Sequence, residues 1–444
     1  MDRRQFLKAV GVSSVGLAAI GTASADSHVD RDKYRPGGPK LGSPKSINLN
    51  AFHTNEELEK ELLKIDKQSG RIELEQIGES AGLGDPLWEV QVGEGDTKVH
   101  LITQIHGDEM IGTEVALKVI KSLGTSNARQ VDHILDNLSF AIIPRVNPDG
   151  AMYEYDFDDD GDDEWIGRRY NTQEWNEGDS RYRPYYHYRP SGQDPGYDMN
   201  RDFNVRPPDE FNPRTDDEED WWYAQRYLDM PYEGHVLYAS GLRLAPEIRA
   251  VTESFNDFDP DYGITHHHKG GSLYPEEENG KGNQPQKQTL MSVMAAYGPD
   301  YLDQSPFFPD DHTPISEAVN PFLDYDTSTR SIKLNSLVIE ALGERGNSIF
   351  DSITRYGYYP LWGSYCDALG PNLANETATA PMLYEVAYQS DHLGQKAFGR
   401  QMELTKVGFL ESFDALADDP TLGDYSVETY FDTPLFGDSI TPYR

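Results

Sequence analysis

The chain alternates between short apolar runs and stretches with helical periodicity. Thr54 and Glu57 form a capping box, which is typical of a helix start, and Leu58, Leu62 and Ile65 follow at helical spacing. Similar patterns predict strands at 72–77, 88–92, 99–105 and 138–144, and helices at about 110–123, 247–255 and 395–417. This alternation favours an α/β fold with a central mixed, mostly parallel β-sheet and helices on both faces.

Three stretches fall outside this alternation. Residues 26–45 are rich in Pro, Gly and Lys and are predicted to be a linker. Residues of about 153–195 are acidic and aperiodic, which indicates an inserted loop, and residues 418–444 are predicted to form an irregular acidic tail. The sequence therefore predicts one main domain over residues 46–417.

The first 25 residues resemble an export signal. Arg3 and Arg4 precede a mild apolar run at 9–20, and Ala23-Ser24-Ala25 offers a cleavage site of small residues. Twin arginines in this setting are typical of Tat export, so we expect a secreted protein. The apolar run is shorter than the roughly 20 residues of a membrane span, so no stable membrane anchor is expected.

The charge of the chain limits its possible partners, and its cysteine content limits its possible cross-links. Acidic residues outnumber basic ones 76 to 39, which gives a formal net charge of -37. This charge argues against nucleic acid as a partner. Because the acids are spread along the chain, they also indicate a solvated surface adapted to high salt, and hence a halophilic source. The single cysteine, Cys366, excludes an internal disulfide.

Five short motifs carry potential chemistry. His106 and Glu109 follow an apolar strand, and an imidazole and a carboxylate at this spacing can bind one cation. The others follow in order: 147–150 (Asn-Pro-Asp-Gly), 198–201 (Asp-Met-Asn-Arg), a histidine triplet at 266–268, and Glu385 in an apolar run. Each is weak alone, but over residues of about 50 to 415 the series resembles the zinc metallocarboxypeptidase family of the pancreatic-carboxypeptidase type.

The resemblance implies one zinc ion, with His106 and Glu109 as two of its ligands. Members of the family usually carry Asp-x-His before the third ligand. Thr265 occupies the Asp position, so His267 is the best match, and strand alternation places Thr265 and His267 on one side. The triplet departs from the family pattern, so the choice among His266, His267 and His268 stays open.

The resemblance also implies roles for residues around the metal. Glu385 corresponds to the general base that activates a zinc-bound water. Asn200 and Arg201 correspond to the clamp for the substrate's terminal carboxylate. Asp198 would accept the free N–H of His106.

Two further family residues have rival candidates. Arg169 fits the arginine that polarises the scissile carbonyl, with Arg168 as the alternative. Tyr359 fits the tyrosine that covers the substrate, although Tyr356, Tyr358 and Tyr365 are close in the sequence.

A run of acids in the inserted loop resembles the start of a calcium-binding loop. Asp156, Asp158 and Asp160 precede Gly161 at the required spacing, but Gly167 stands where the closing glutamate is usual. Calcium is therefore a possible second cofactor, and a solvated acidic surface is the alternative.

These expectations combine into one function and two alternatives. We expect a zinc-dependent hydrolase that acts in proteolysis. Specifically, we expect a metallocarboxypeptidase that hydrolyses the C-terminal peptide bond of peptides or proteins. The first alternative is a zinc amidohydrolase that removes acyl groups from N-acyl amino acids. The second is a non-catalytic secreted binding protein of the same fold. The preferred C-terminal residue and the oligomeric state stay open.

Overall fold

The computed structural model describes most of residues 52–437. The described ranges are 52–156, 161, 163–165, 167–174, 187–188, 195–203, 245–270, 272–274, 288–304, 319–320, 323–345, 352–357, 364–368, 379–387 and 394–437. The predicted signal segment at 1–25 and the predicted linker at 26–45 lie outside these ranges. Within them, no helix is both long enough and apolar enough to cross a bilayer.

The main elements alternate much as the hydrophobic pattern predicts. Within the described ranges, the α-helices of six residues or more are α1 (Asn55–Gln68), α2 (Ile111–Thr125), α3 (Arg129–Asn137), α4 (Pro246–Phe258), α5 (Tyr325–Gly343), α6 (Gly394–Asp418) and α7 (Val427–Asp432). The strands of the main sheet are β1 (Ile72–Glu79), β2 (Pro86–Val92), β3 (Thr97–Thr103), β4 (Leu138–Ile143), β5 (Tyr262–Lys269), β6 (Met291–Ala295), β7 (Ile353–Arg355) and β8 (Ala380–Ala387). Thr54 caps α1 with the expected capping box.

Short elements connect this framework. Helical turns lie at Pro148–Ala151 and Tyr365–Ala368, and 3₁₀ turns lie at Met199–Arg201 and Pro299–Gln304. Three two-stranded ribbons pair Glu154–Tyr155 with Glu164–Trp165, His187–Tyr188 with Gly196–Tyr197, and Ser272–Leu273 with Gln288–Thr289.

One eight-stranded sheet forms the centre of the molecule, in the order β1-β2-β4-β3-β5-β8-β6-β7. The pairs β3/β4, β3/β5, β5/β8 and β6/β7 are parallel, and the other three pairs are antiparallel. The predicted α/β fold with a mixed sheet in a single domain is therefore confirmed.

Helices cover both faces of this sheet. On one face, His266 of β5 contacts Thr405 of α6, with 3.0 Å between His266 Nε2 and Thr405 Oγ1. On the other face, His100 of β3 contacts Ser254 of α4, with 3.1 Å between His100 Nε2 and Ser254 Oγ. Buried apolar side chains fill the space between the sheet and both layers. The parallel strands β3, β5 and β8 thus lie at the protected centre, where their carboxyl ends share one edge.

The segment predicted as an irregular tail differs from that expectation in its described part. It contains α7, whose Tyr430 is 1% exposed and accepts a hydrogen bond at its hydroxyl from the backbone N–H of Ala295. Beyond α7, the N–H of Arg355 donates to the carbonyl of Pro434 at 2.9 Å. The acidic composition of the segment does not reveal this packing, because a few buried aromatic side chains are enough to hold the segment against the domain.

Candidate metal centre

Three buried side chains meet at the carboxyl ends of β3 and β5. His106 and Glu109 lie on the turn after β3, and His267 lies on β5. Glu109 Oε1 is 2.8 Å from His106 Nδ1, and Glu109 Oε2 is 3.0 Å from His267 Nδ1. The Nδ1 atoms of the two histidines are 3.1 Å apart. Within the described residues, these three form the group of His, Cys, Asp and Glu side chains suited to hold a metal ion.

The chemistry of this group fits zinc. Two imidazole nitrogens and a carboxylate are a common protein ligand set for catalytic zinc. Ligand nitrogens at about 2.0–2.1 Å from a tetrahedral zinc ion lie about 3.3 Å from each other. The observed separation of 3.1 Å between the two Nδ1 atoms is close to that value. The site is buried, with exposures of 3%, 5% and 2% for His106, Glu109 and His267, so their lone pairs need a cation or a proton between them.

The Asn-Pro-Asp-Gly motif supports the turn that carries two of these residues. A side chain on Gly107 would overlap the backbone of Gly150 at 2.1 Å, so the close approach of the two turns requires glycine. Asn147 Nδ2 donates to the carbonyl of Ile105 at 3.2 Å and to the carbonyl of Arg169 at 3.2 Å. The motif therefore joins the turn of His106 to the loop of Arg169.

The structure places the other two histidines of the triplet away from this group. His266 faces α6, as described above, and His268 Nε2 accepts a 3.4 Å hydrogen bond from the N–H of Ile111 at the start of α2. Thr265 lies with His267, since its Oγ1 is 3.2 Å from His267 Nε2. His267 is thus the member of the triplet that the strand directs to His106 and Glu109.

A second layer of charge lies behind His106. Asp198 Oδ1 is 3.4 Å from His106 Nε2, on the side of the ring opposite the metal ligands. Arg169 Nε donates to Asp198 Oδ2 at 2.9 Å, and Arg169 Nη1 lies 3.9 Å from Glu109 Oε1. Burial favours the neutral acid, yet Arg169 and Arg201 hold the pKa of Asp198 well below its usual range. Asp198 is therefore a buried anion between a histidine and two arginines.

The two rival arginines have different surroundings. Arg168 is 4% exposed and donates to the carbonyls of Tyr170, Asn171 and Pro195, while its guanidinium lies 4.2 Å from the ring centre of Tyr153. These contacts bind it to the surrounding backbone. Of the two, Arg169 is the one that the structure places against His106, Glu109 and Asp198.

Glu385 is the acidic neighbour of His267 on the adjacent strand. The two residues are paired in the parallel register of β5 and β8, so their side chains leave the sheet on the same face. Oε2 of Glu385 has no hydrogen-bond partner in the described part of the chain. Burial and the charge of Glu109 raise the pKa of Glu385 to about 8. A bound cation would oppose this shift because it favours the carboxylate.

The Asp-Met-Asn-Arg motif forms a 3₁₀ turn beside His267. Asn200 Nδ2 is 3.5 Å from His267 Nε2, and Asn200 Oδ1 accepts a hydrogen bond from the N–H of Tyr365 at 3.0 Å. Arg201 Nη1 donates to the carbonyl of Asn200 at 2.8 Å. The turn therefore brings Asn200 and the positive charge of Arg201 to the border of the metal centre.

The remaining predicted residues lie largely outside the described ranges. Tyr359 is one of these, as are Asp158 and Asp160. Asp156 is described, and its Oδ2 accepts a hydrogen bond from the N–H of Gly161 at 2.9 Å. That contact is ordinary turn geometry, and the calcium expectation gains no support.

Lys269 is a neighbour of the site that the motifs do not indicate. It follows His267 by two residues on β5 and therefore shares its face. Its Nζ donates to Ser272 Oγ and lies 4.3 Å from the ring centre of Phe436. Burial lowers the pKa of Lys269 to about 8. Strand alternation, continued two residues beyond His267, is the signal that could have found it.

Comparison with known proteins shows which family the chain belongs to. The sequence profile of the zinc carboxypeptidases matches residues 58–315, which is more than half of the chain. The chain belongs to the zinc carboxypeptidase family. The family resemblance predicted from the five motifs is thereby confirmed, whereas export and salt adaptation stay predictions.

Individual carboxypeptidases match over shorter stretches. Carboxypeptidase SOL1 of Arabidopsis thaliana is 30% identical over 108 residues, or 22% of this chain and 22% of that protein. Carboxypeptidase M of Mus musculus is 30% identical over 109 residues, or 22% of this chain and 24% of that protein. The chain thus matches less than a third of the length of these relatives.

Solved structures share the fold over a longer range. A crystal structure of thrombin-activatable fibrinolysis inhibitor has a TM-score of 0.51 at 14% identity, covering 85% of this chain and 78% of that one. The bovine protein, in complex with tick carboxypeptidase inhibitor, has a TM-score of 0.50 at 15% identity, covering 83% and 98%. At this identity the likeness shows a common fold.

Proposed function

We propose that this protein is a zinc-dependent metallocarboxypeptidase that hydrolyses the C-terminal peptide bond of peptides or proteins. The observation that carries the proposal is the convergence of His106, Glu109 and His267 in one buried group, with Glu385 on the neighbouring strand. This arrangement combines a metal ligand set with a separate carboxylate. Family membership supports the same chemistry.

The metal would be held by His106, Glu109 and His267. Zinc, when bound there, would polarise the scissile carbonyl and lower the pKa of a water molecule. Asp198 would keep His106 in the required orientation, because a carboxylate beside Nε2 favours a proton on that nitrogen and leaves Nδ1 free as a ligand.

Glu385 would serve as the general base. Glu385 is a half-buried residue whose Oε2 is buried without a hydrogen-bond partner in the described ranges, and its side chain lies on the same face as His267. As the peptide bond is cleaved, it would accept the proton of the attacking water and pass it to the leaving amine. This cycle needs no other acid, because the proton taken in the first step is the one returned in the second.

Arginine side chains would stabilise and select the substrate. Arg169 is anchored by Asp198 and lies beside Glu109, where its positive charge would stabilise the oxyanion that forms on the carbonyl. Asn200 and Arg201 would bind the terminal carboxylate, which restricts cleavage to chain ends. Tyr359 is proposed from the resemblance alone to cover the bound substrate.

Export completes the proposal. The twin-arginine segment at residues 1–25 is proposed to direct the folded enzyme out of the cell, where peptides would be its substrates. Expression of the full chain, followed by N-terminal sequencing of the exported product, tests this part independently. Cleavage near Ala25 supports it, and an intact N-terminus outside the cell contradicts it.

The activity is tested with the full chain, purified and assayed for zinc content and hydrolysis. The substrates are a short peptide with a free C-terminus, the same peptide with an amidated C-terminus, and an N-acyl amino acid. A carboxypeptidase contains one zinc ion per chain and cuts the free peptide far faster than the amidated one. Equal cutting of both peptides indicates an endopeptidase, and cutting of only the N-acyl amino acid indicates an amidohydrolase. No hydrolysis with zinc bound supports a binding protein.

A further inference from the structure

The turn that carries His106 and Glu109 begins at a residue with an uncommon backbone conformation. Gln104 has a φ of 53° and is fully buried, with an exposure of 0%. Residues other than glycine, asparagine and aspartate seldom adopt this left-handed region. Such a conformation persists where the surrounding contacts hold it, and it is often found at functional sites.

The side chain of Gln104 supplies these contacts. Its Nε2 donates to the carbonyl of Gly107 at 2.7 Å, inside the turn between His106 and Glu109. Its Oε1 accepts hydrogen bonds from Arg145 Nε at 2.8 Å and from Thr113 Oγ1 on α2. Gln104 therefore bonds to the turn itself, to the segment just after β4 and to the helix that follows Glu109.

Arg145 fixes the other end of this network. It is 2% exposed, and each of its guanidinium nitrogens donates a hydrogen bond. Besides Nε, which bonds to Gln104, Nη1 donates to Asn55 Oδ1 at 2.7 Å and Nη2 donates to the carbonyl of His53 at 2.8 Å. Because a guanidinium is planar and rigid, these bonds fix the direction from which Gln104 is held.

We propose that Gln104 and Arg145 are positioning residues that hold the turn of His106 and Glu109 ready for zinc before the metal binds. The inference rests on the proposed metal centre. A ligand turn that is already ordered loses less conformational entropy on binding, so the metal binds more tightly. Neither residue touches the metal or the substrate in this scheme, and both act through the turn.

Two variants separate this role from general stability. Gln104→Glu keeps an oxygen that accepts from Arg145 and Thr113. It replaces the amide nitrogen that donates to the carbonyl of Gly107 with a second oxygen, and the two oxygens repel each other. Arg145→Lys keeps the charge but cannot bond to Gln104, Asn55 and His53 together. Zinc affinity is measured on the purified full chain by competition with a chelator. The expected result is a zinc Kd raised about 10-fold in both variants, the lower end of the about 10- to 100-fold range for residues that bond to metal ligands directly, because both residues act through the turn.

The control is Ile134→Ala on α3, a core truncation at a side chain of 0% exposure that takes no part in this network. It lowers the Tm of the metal-free protein, as the two variants do, but leaves the zinc Kd within about twofold of wild type because distant sites act independently. Unchanged zinc affinity in Gln104→Glu and Arg145→Lys overturns the inference, as does an equal loss in the control. A wild-type protein that binds no zinc overturns the proposed metal centre itself.

Discussion

Replacing Asp198 with Asn tests how the buried charge behind His106 supports the metal centre. Asp198 Oδ1 also accepts a hydrogen bond from the N–H of Asn200, and an asparagine oxygen can keep that bond. The substitution therefore removes the negative charge beside His106 Nε2 and Arg169 with little change in shape. It leaves the charge of Arg169 without its closest anion.

The magnitude follows from the contacts that are weakened. A hydrogen bond to a charged group contributes about 1.5–3 kcal/mol, and Asp198 is 7% exposed, so water compensates little of its loss. If one such interaction supports His106 as a ligand, the zinc Kd rises about 10- to 100-fold. Arg169 also loses its 2.9 Å anchor, so kcat on a saturated, zinc-loaded enzyme falls as well.

Zinc competition with a chelator and steady-state kinetics at saturating zinc measure the two effects separately. Asp324→Asn is a matched control, because Asp324 caps α5 through the N–H of Thr327 and asparagine caps helices equally well. It leaves zinc affinity and kcat unchanged. If Asp198→Asn keeps wild-type zinc affinity and kcat, then Asp198 neither orients His106 nor anchors Arg169 in a way that matters for function.

Three further outcomes are expected. His267→Ala loses bound zinc, whereas His266→Ala and His268→Ala keep it, as metal analysis of the folded variants will show; zinc lost only from one of the latter two refutes the ligand choice. Glu385→Gln keeps zinc and still binds peptide, but its kcat falls about 10²–10⁴-fold because the general base is gone; a near-normal kcat excludes that role. The net charge of -37 predicts that Tm rises from low to molar KCl, because salt screens self-repulsion; a flat or falling Tm in a salt titration contradicts the salt-adapted surface.

Much of the fold is predictable where local signals agree with tertiary packing. Helix α1 combines a capping box with buried Leu58, Leu62 and Ile65 at helical spacing, so propensity and burial coincide. Helix α5 has 19 residues, but its sequence does not separate apolar from polar positions as clearly as that of α1. Its buried positions are polar as well as apolar, and Ser331 Oγ, for example, donates to the carbonyl of Pro381. A helix that buries serine and asparagine in this way carries a weak hydrophobic pattern.

In the candidate site, too, some residues are predictable from the local pattern and others depend on distant partners. Strand alternation along β5 favours His267 over its two neighbours from the sequence alone, because the alternation is local. The choice between Arg168 and Arg169 is not local. It depends on Asp198, which lies 29 positions beyond Arg169 and reaches it through a separate turn. Neighbouring residues of equal chemistry can be distinguished only when the distant partner is placed.

The docking of the C-terminal segment has a practical consequence for anyone who engineers this protein. Phe436 covers Lys269, and Lys269 shares a strand face with His267. Pro434, meanwhile, bonds to the backbone of β7 at the sheet edge. A chain truncated after Thr433 would therefore lose both contacts and uncover Lys269, two residues from His267 on the same strand.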